Sequence, residues 1–337
     1  MKARLFAPVF CTFIAGLGPG CTCSETRRTD RNPESKLSKE VAQSNADPGE
    51  TGAGPPLNAA IDAAVPSRNP KIHVWRPSSL AAVVLSPSEP LQERAPLPVL
   101  FVFHGRGEAL KGKELGMYGW ANDYELTSAL TRISGANKSA LRDEDFYGFV
   151  SPERLTEMNT ALQRQPFRDM VIVCPYLPDF SLHNFSEVRP YATRFKKEFV
   201  DHLEELERII EAPIDRTRLS IDGVSLGGLA ALWIGSEYPA TFAAVGALQP
   251  ALFSRDAAFW SARLAKARSL APALSIRLVT SEEDFYRGAV ETLDRALSSN
   301  KIAHAFFLAR GPHDYVFNRG PGAYELLFWH ERTLYSR

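Results

Sequence analysis

Three stretches of this chain carry residue types that together perform acyl chemistry. The first is Gly223-Val224-Ser225-Leu226-Gly227, which fits the pattern G-x-S-x-G. A serine at the apex of a sharp strand-to-helix turn needs neighbours two positions away that lack a Cβ, because otherwise the backbone cannot fold back tightly. The helix that starts behind such a serine directs its positive end toward the space where an oxyanion would form. The second stretch is an acid cluster, Ser281-Glu282-Glu283-Asp284-Phe285, and the third is Arg310-Gly311-Pro312-His313-Asp314-Tyr315. A serine followed in the chain by an acid and then a histidine can supply a nucleophile, an orienting carboxylate and a general base.

The elements between these stretches alternate strand and helix. Lys71–Trp75 and Ala81–Leu85 read as an opening β-meander. The uninterrupted apolar run Leu97-Pro-Val-Leu-Phe-Val-Phe103 reads as a strand buried on both faces, ending at His104-Gly105-Arg106-Gly107. Further strands are expected over 170–174, 219–222, 241–248, 276–280 and 305–308. Helices are expected over 195–210, from Ser225 to about Tyr238, and over 259–269, 291–298 and 324–334. This order implies a largely parallel sheet with helices on both faces. The serine would stand at the end of one strand, the acid cluster and the histidine in loops after later ones.

The 337 residues contain 39 basic and 39 acidic side chains, so no excess positive charge marks the chain as a nucleic-acid binder. At the N-terminus Lys2 and Arg4 precede the apolar run Leu5–Leu17, which ends in Gly18-Pro19-Gly20-Cys21. This is the arrangement of a secretory signal, too short for a comfortable membrane span. The Gly20-Cys21 junction resembles a bacterial lipoprotein cleavage site, with Cys21 as the acylated residue that would tether the protein to a membrane. Residues 1–20 are therefore expected to be a signal peptide and the mature protein to lie outside the cytoplasm. Residues 21–69, rich in Pro, Ser, Gly and charge, read as a disordered linker, and 70–337 as the folded domain. With the signal removed, Cys174 is the only cysteine of the body and reads as a core thiol; neither a disulfide framework nor a zinc spacing is present.

Leu97–Gly107, Asp215–Gly228 and Gly311-Pro-His-Asp314 together resemble the esterase D and enterochelin-esterase branch of the α/β-hydrolases. The resemblance spans roughly Lys71–Arg337 and implies an α/β-hydrolase fold with an insertion after the oxyanion-loop strand, at about 108–168. It assigns the nucleophile to Ser225, the general base to His313 and the acid to Asp284, with Glu283 as second choice because Ser281 stands where the family usually has glycine. The oxyanion would be held by the backbone N–H groups of Leu226 and Arg106. The implied activity is hydrolysis of a carboxylic ester without metal or organic cofactor. Transfer of the acyl group to an acceptor alcohol, or a non-catalytic binding role on the same fold, are the alternatives.

Other conspicuous residues have plainer readings. His104 braces the oxyanion loop, Asp222 is a strand-end hydrogen-bonding residue, and His183, His202, His304 and His330 are surface or packing residues. The insertion leaves the sheet at the carboxyl end of the oxyanion-loop strand and should overhang the site. Its Trp120 and Tyr124, together with Tyr176 after the next strand, are the candidate substrate-binding aromatics. An anionic siderophore ester would favour basic residues near the pocket, for which Arg106, Lys111, Lys113 and Arg189 are available.

Overall fold

A computed structural model describes residues 69–88, 95–136, 139–181 and 185–336. The signal segment 1–20, Cys21, the linker up to residue 68 and His183 lie outside the described residues. Eight strands form one sheet in the order β1-β2-β4-β3-β5-β6-β7-β8. They are β1 (Lys71–Trp75), β2 (Ala82–Ser86), β3 (Leu97–Phe103), β4 (Val171–Pro175), β5 (Ile214–Gly223), β6 (Ala244–Leu248), β7 (Ser275–Glu283) and β8 (Ala305–Pro312). β2 pairs antiparallel with β1 and β4, and every other pairing is parallel.

The alternation of β3 shows how the layers form. Leu97, Val99, Phe101 and Phe103 enter one core cluster, while Leu100 and Val102 enter the other. A strand with apolar residues on both faces needs a helical layer on each side. The first layer is built by α5 (Val188–Glu198), α6 (Leu203–Ile210), α7 (Leu226–Glu237), α8 (Ala257–Leu270) and α9 (Arg287–Ser299), whose Phe195, Leu206, Leu229, Trp260 and Leu293 share the first cluster. The second is built by α3 (Leu126–Ser134), α4 (Pro152–Arg164) and α11 (Ala323–Tyr335). Three short helices complete the set: α1 (Arg106–Ala109), α2 (Lys113–Gly116) and α10 (Tyr315–Phe317).

Two expectations about the helical layers change. The helix expected over 195–210 is split into α5 and α6 by a 3₁₀ turn at Val200–His202, where His202 Nδ1 meets the Lys197 carbonyl at 2.8 Å. Its apolar face Phe199, Leu203, Leu206, Ile210 is nevertheless buried throughout. Most of the insertion forms a layer of the core rather than an overhang. Its Leu126, Ile133, Phe146, Met158 and Leu162 pack under the sheet with Leu326 and Leu327 of α11. The crossover from β3 to its parallel neighbour β4 must carry the chain over one face of the sheet, and the insertion supplies that layer. Among the described residues no helix is long and apolar enough to cross a membrane.

Candidate active site

Strand register brings the chemistry-bearing residues together. Phe103 lies opposite Gly223 in the β3–β5 pair, so the chain continues side by side into His104-Gly105-Arg106 and Val224-Ser225. Two strands further on, Glu283 lies opposite Pro312, so Asp284 and His313 each follow directly from adjacent strand ends.

Ser225 is the N-cap of α7 with φ 57° and ψ −117°, a conformation that L-residues rarely adopt. Backbone bonds hold it there: Val224 N–H donates to Phe103 O at 3.1 Å, and Ser225 N–H to Leu248 O at 2.9 Å. The glycines of the motif are sterically required. A Cβ on Gly227 would sit 2.4 Å from the Phe103 carbonyl oxygen, and one on Gly223 2.5 Å from the Gly227 backbone. Leu226 opens α7 and Arg106 opens α1, so neither N–H has an acceptor within its own helix.

His313 Nδ1 lies 2.7 Å from Asp284 Oδ1. The carboxylate is fixed by the Thr280 hydroxyl, which donates to Oδ2 at 2.6 Å, and by the Tyr286 N–H, which donates to Oδ1 at 2.9 Å. Asp284 is buried, whereas Glu282 and Glu283 are exposed. β7 runs three residues beyond its expected end, which is why Ser281, Glu282 and Glu283 are strand rather than loop. Ser281 is buried, and its hydroxyl accepts from Gln249 Nε2 at 2.7 Å; the same amide donates to Pro312 O at 2.9 Å. Gln249 thereby ties the end of β7 to the strand that carries His313. The Phe285 ring lies over His313 with centroids 4.1 Å apart.

A cleft of about 330 Å³ is lined by Gly105, Arg106, Ser225, Leu226 and His313. Of the three expected substrate aromatics only Tyr124 lines it. Trp120 is fully buried and packs against Tyr124 at 5.0 Å as part of the second core cluster. Tyr176 stands outside the cleft, where its hydroxyl donates to Ala109 O at 2.9 Å and braces α1. The first correction follows from the insertion forming a layer of the core, the second from the bond that turns Tyr176 toward α1.

His104 braces the loop as expected. Leu177 N–H donates to Nε2 at 3.0 Å, which leaves the proton on Nδ1 to bond Gly105 O at 2.9 Å. Burial holds this imidazole below the ordinary histidine value. His330 is a fully buried residue of α11 rather than a surface one: its Nε2 lies 2.7 Å from Asp222 Oδ2, and Arg277 Nη2 reaches the same oxygen at 3.2 Å. Burial outweighs the neighbouring carboxylate and lowers the His330 pKa.

Glu108 is the residue with least warning in the sequence, since nothing in Gly107-Glu108-Ala109 announces a buried acid. It is 1% exposed, yet lines the cleft. Its Oε2 accepts from the Tyr124 hydroxyl and its Oε1 from the Tyr315 hydroxyl, the latter at 2.6 Å. Tyr124 OH in turn accepts from the Gly105 N–H at 3.1 Å, so Glu108 links the oxyanion loop, the insertion and the histidine loop. Burial and then Glu108 raise the pKa of both tyrosines, which keeps their hydroxyls protonated donors.

Comparison with known proteins agrees with this architecture. Residues 179–305 match the family model described as "Putative esterase". A ferulic acid esterase structure aligns with TM-score 0.56 at 18% identity, over 79% of this chain and 99% of its own. A mutant of the feruloyl esterase module from Clostridium thermocellum, complexed with sinapinate, aligns at 0.53 and 14% identity, over 77% and 88% of the two chains. FphF, a fluorophosphonate-binding serine hydrolase of Staphylococcus aureus in a substrate-bound structure, aligns at 0.51 and 13% identity, over 78% and 98%. No curated protein matches. The fold is that of the α/β-hydrolases, and within it residues 179–305 are similar to the putative-esterase family.

Proposed function

We propose that the protein is a serine carboxylic-ester hydrolase that works outside the cytoplasm through Ser225, His313 and Asp284. The observation that carries this reading is the placement of Ser225 and His313 on one cleft, with the histidine's far nitrogen already held by Asp284 at 2.7 Å. An ionised Asp284 accepts from Nδ1–H, which leaves Nε2 as the basic nitrogen facing the cleft.

Ser225 Oγ attacks the ester carbonyl while Nε2 takes its proton. The oxyanion forms against the N–H groups of Leu226 and Arg106, and each such donor contributes about 3 kcal/mol to the transition state. Collapse of the tetrahedral intermediate expels the alcohol, which receives the proton from Nε2. Water then adds to the acyl-enzyme with the same histidine as base, releasing the acid and restoring Ser225. The pairing of His313 with Asp284 rather than Glu283 supports Asp284 as the orienting acid.

The test is active-site labelling with a fluorophosphonate, together with turnover of nitrophenyl esters. The intact protein should label and the Ser225→Ala variant should not, with turnover reduced at least about a thousandfold. An intact protein that labels no better than Ser225→Ala overturns the reading. The location rests on residues 1–21. Export followed by acylation at Cys21 predicts incorporation of a fatty-acid analogue by the intact chain and none by Cys21→Ser.

A further inference from the structure

Phe285 is the most exposed large apolar side chain among the described residues, at 70%, yet it lines the cleft. It joins neither core cluster, so it adds little to the stability of the fold. An exposed apolar residue alone means little. This one is fixed against the general base. Asp284 O accepts from Arg287 N–H at 3.0 Å, and Asp284 Oδ1 accepts from Tyr286 N–H at 2.9 Å, so the turn that carries Phe285 is pinned on both sides. The Phe285 ring lies 4.1 Å from the His313 imidazole and 4.6 Å from the Tyr286 ring, which is itself 5.5 Å from the imidazole. The ring thus covers the base and leaves most of its own surface open.

Phe285 has no hydrogen-bonding group, so what it can offer a substrate is apolar contact. Of the basic residues near the cleft, Arg106 is held by Asp179 through contacts of 2.9 and 3.0 Å, and Lys111 by Asp123 at 2.9 Å. Neither is free to draw a charged group toward the ring. The chemistry also decides which part of an ester comes beside Phe285. The carbonyl oxygen turns to the N–H groups of Leu226 and Arg106, and the alcohol oxygen must come within hydrogen-bond reach of His313 Nε2 to take its proton. The first carbon of the alcohol is bonded to that oxygen and therefore lies beside the ring stacked on the same imidazole. The acyl substituent is attached one bond further away.

We propose that Phe285, backed by Tyr286, is the apolar wall of the alcohol subsite and makes the enzyme prefer esters of longer alkyl alcohols to those of methanol. This rests on the serine-esterase reading of the same cleft. An alkyl chain laid on the ring removes apolar surface of both from water, in the bound ester and in the transition state alike, and so raises kcat/KM.

Two ester series test the subsite, both followed by acid release at constant pH. In the first the acyl group is fixed: methyl, butyl and hexyl acetate, whose alcohols leave about equally well. In the second the alcohol is fixed: methyl acetate, methyl pentanoate and methyl heptanoate. Hexyl acetate should exceed methyl acetate by about five- to twentyfold in kcat/KM, as burial of a few methylene groups allows. Phe285→Ala should bring that ratio toward one and leave the heptanoate-to-acetate ratio of the methyl esters within about twofold of its native value. Phe285→Leu, which stays apolar, should keep most of the preference. Equal turnover of hexyl and methyl acetate by the native chain overturns the subsite alone. So does a ratio that survives Phe285→Ala because all esters fall together, which is the signature of a ring that only shields the histidine. An equal collapse of the acyl ratio moves the ring to the acyl side and overturns the assignment. Should Phe285→Ala fail to fold, Phe285→Gln, which keeps bulk and loses the apolar face, decides in its place. Absence of both fluorophosphonate labelling and turnover of every ester overturns the esterase reading and the subsite with it.

Discussion

At the residue scale, the neighbouring acids Glu283 and Asp284 separate cleanly. Glu283 is exposed at the end of β7, while Asp284 is buried and bonded to Thr280, Tyr286 and His313. Asp284→Asn should lower kcat about ten-thousandfold, because the amide cannot hold the imidazole in the tautomer the serine needs. Glu283→Gln should remain within about twofold of the wild type, its carboxylate being one more solvated surface charge. Steady-state kinetics on a nitrophenyl ester checks both. His104 makes a prediction about pH. Its folded-state pKa lies below the ordinary 6.5 because of burial. As pH falls through about 6.5 the unfolded chain takes up a proton that the folded chain refuses, so stability present above that pH declines below it. Thermal melts between pH 7 and 5 should show a shallower decline for His104→Asn than for the wild type.

At the scale of elements, the strand-to-helix turn at Ser225 is defined by backbone proximity rather than by side-chain contacts. Gly227→Ala would place a methyl group 2.4 Å from Phe103 O and 2.6 Å from His104 O, forcing β3 and α7 apart. We expect a loss of about 1–3 kcal/mol in unfolding free energy, together with slower fluorophosphonate labelling. This part of the site was legible in the sequence because the constraint is local: a glycine-framed serine between an apolar strand and a helix has few other readings. The acid and the histidine were legible because each follows a strand. What escaped was set by register and by partners distant in the chain. Glu108 owes its role to Tyr124 and Tyr315, respectively sixteen and 207 positions away. The insertion misled for a related reason. Its aromatics suit a pocket or a core equally well, and only the need to cover one face of β3 and β4 assigns Trp120 to the core.

At the scale of the molecule, a buried charge cluster ties the sheet to the closing helix. Asp222 in β5 contacts both Arg277 in β7 and His330 in α11, and Arg277 Nη1 also donates to the Glu325 carbonyl at 2.7 Å. All three side chains are essentially buried. Arg277→Met removes one partner and leaves Asp222 facing a neutral histidine, so denaturant unfolding should register a loss of about 3–5 kcal/mol. A second global consequence comes from the turn at Ser225. Its φ of 57° and ψ of −117° suit a residue without a Cβ. Ser225→Gly should therefore melt at a higher temperature than both the native chain and Ser225→Ala, by about 1 kcal/mol net of the freedom that glycine adds to the unfolded chain. The comparison with alanine separates the effect of the missing Cβ from that of the missing hydroxyl. The proposed activity and heat resistance are then in opposition at one position: the most thermostable form of this chain is one that has lost the Ser225 hydroxyl.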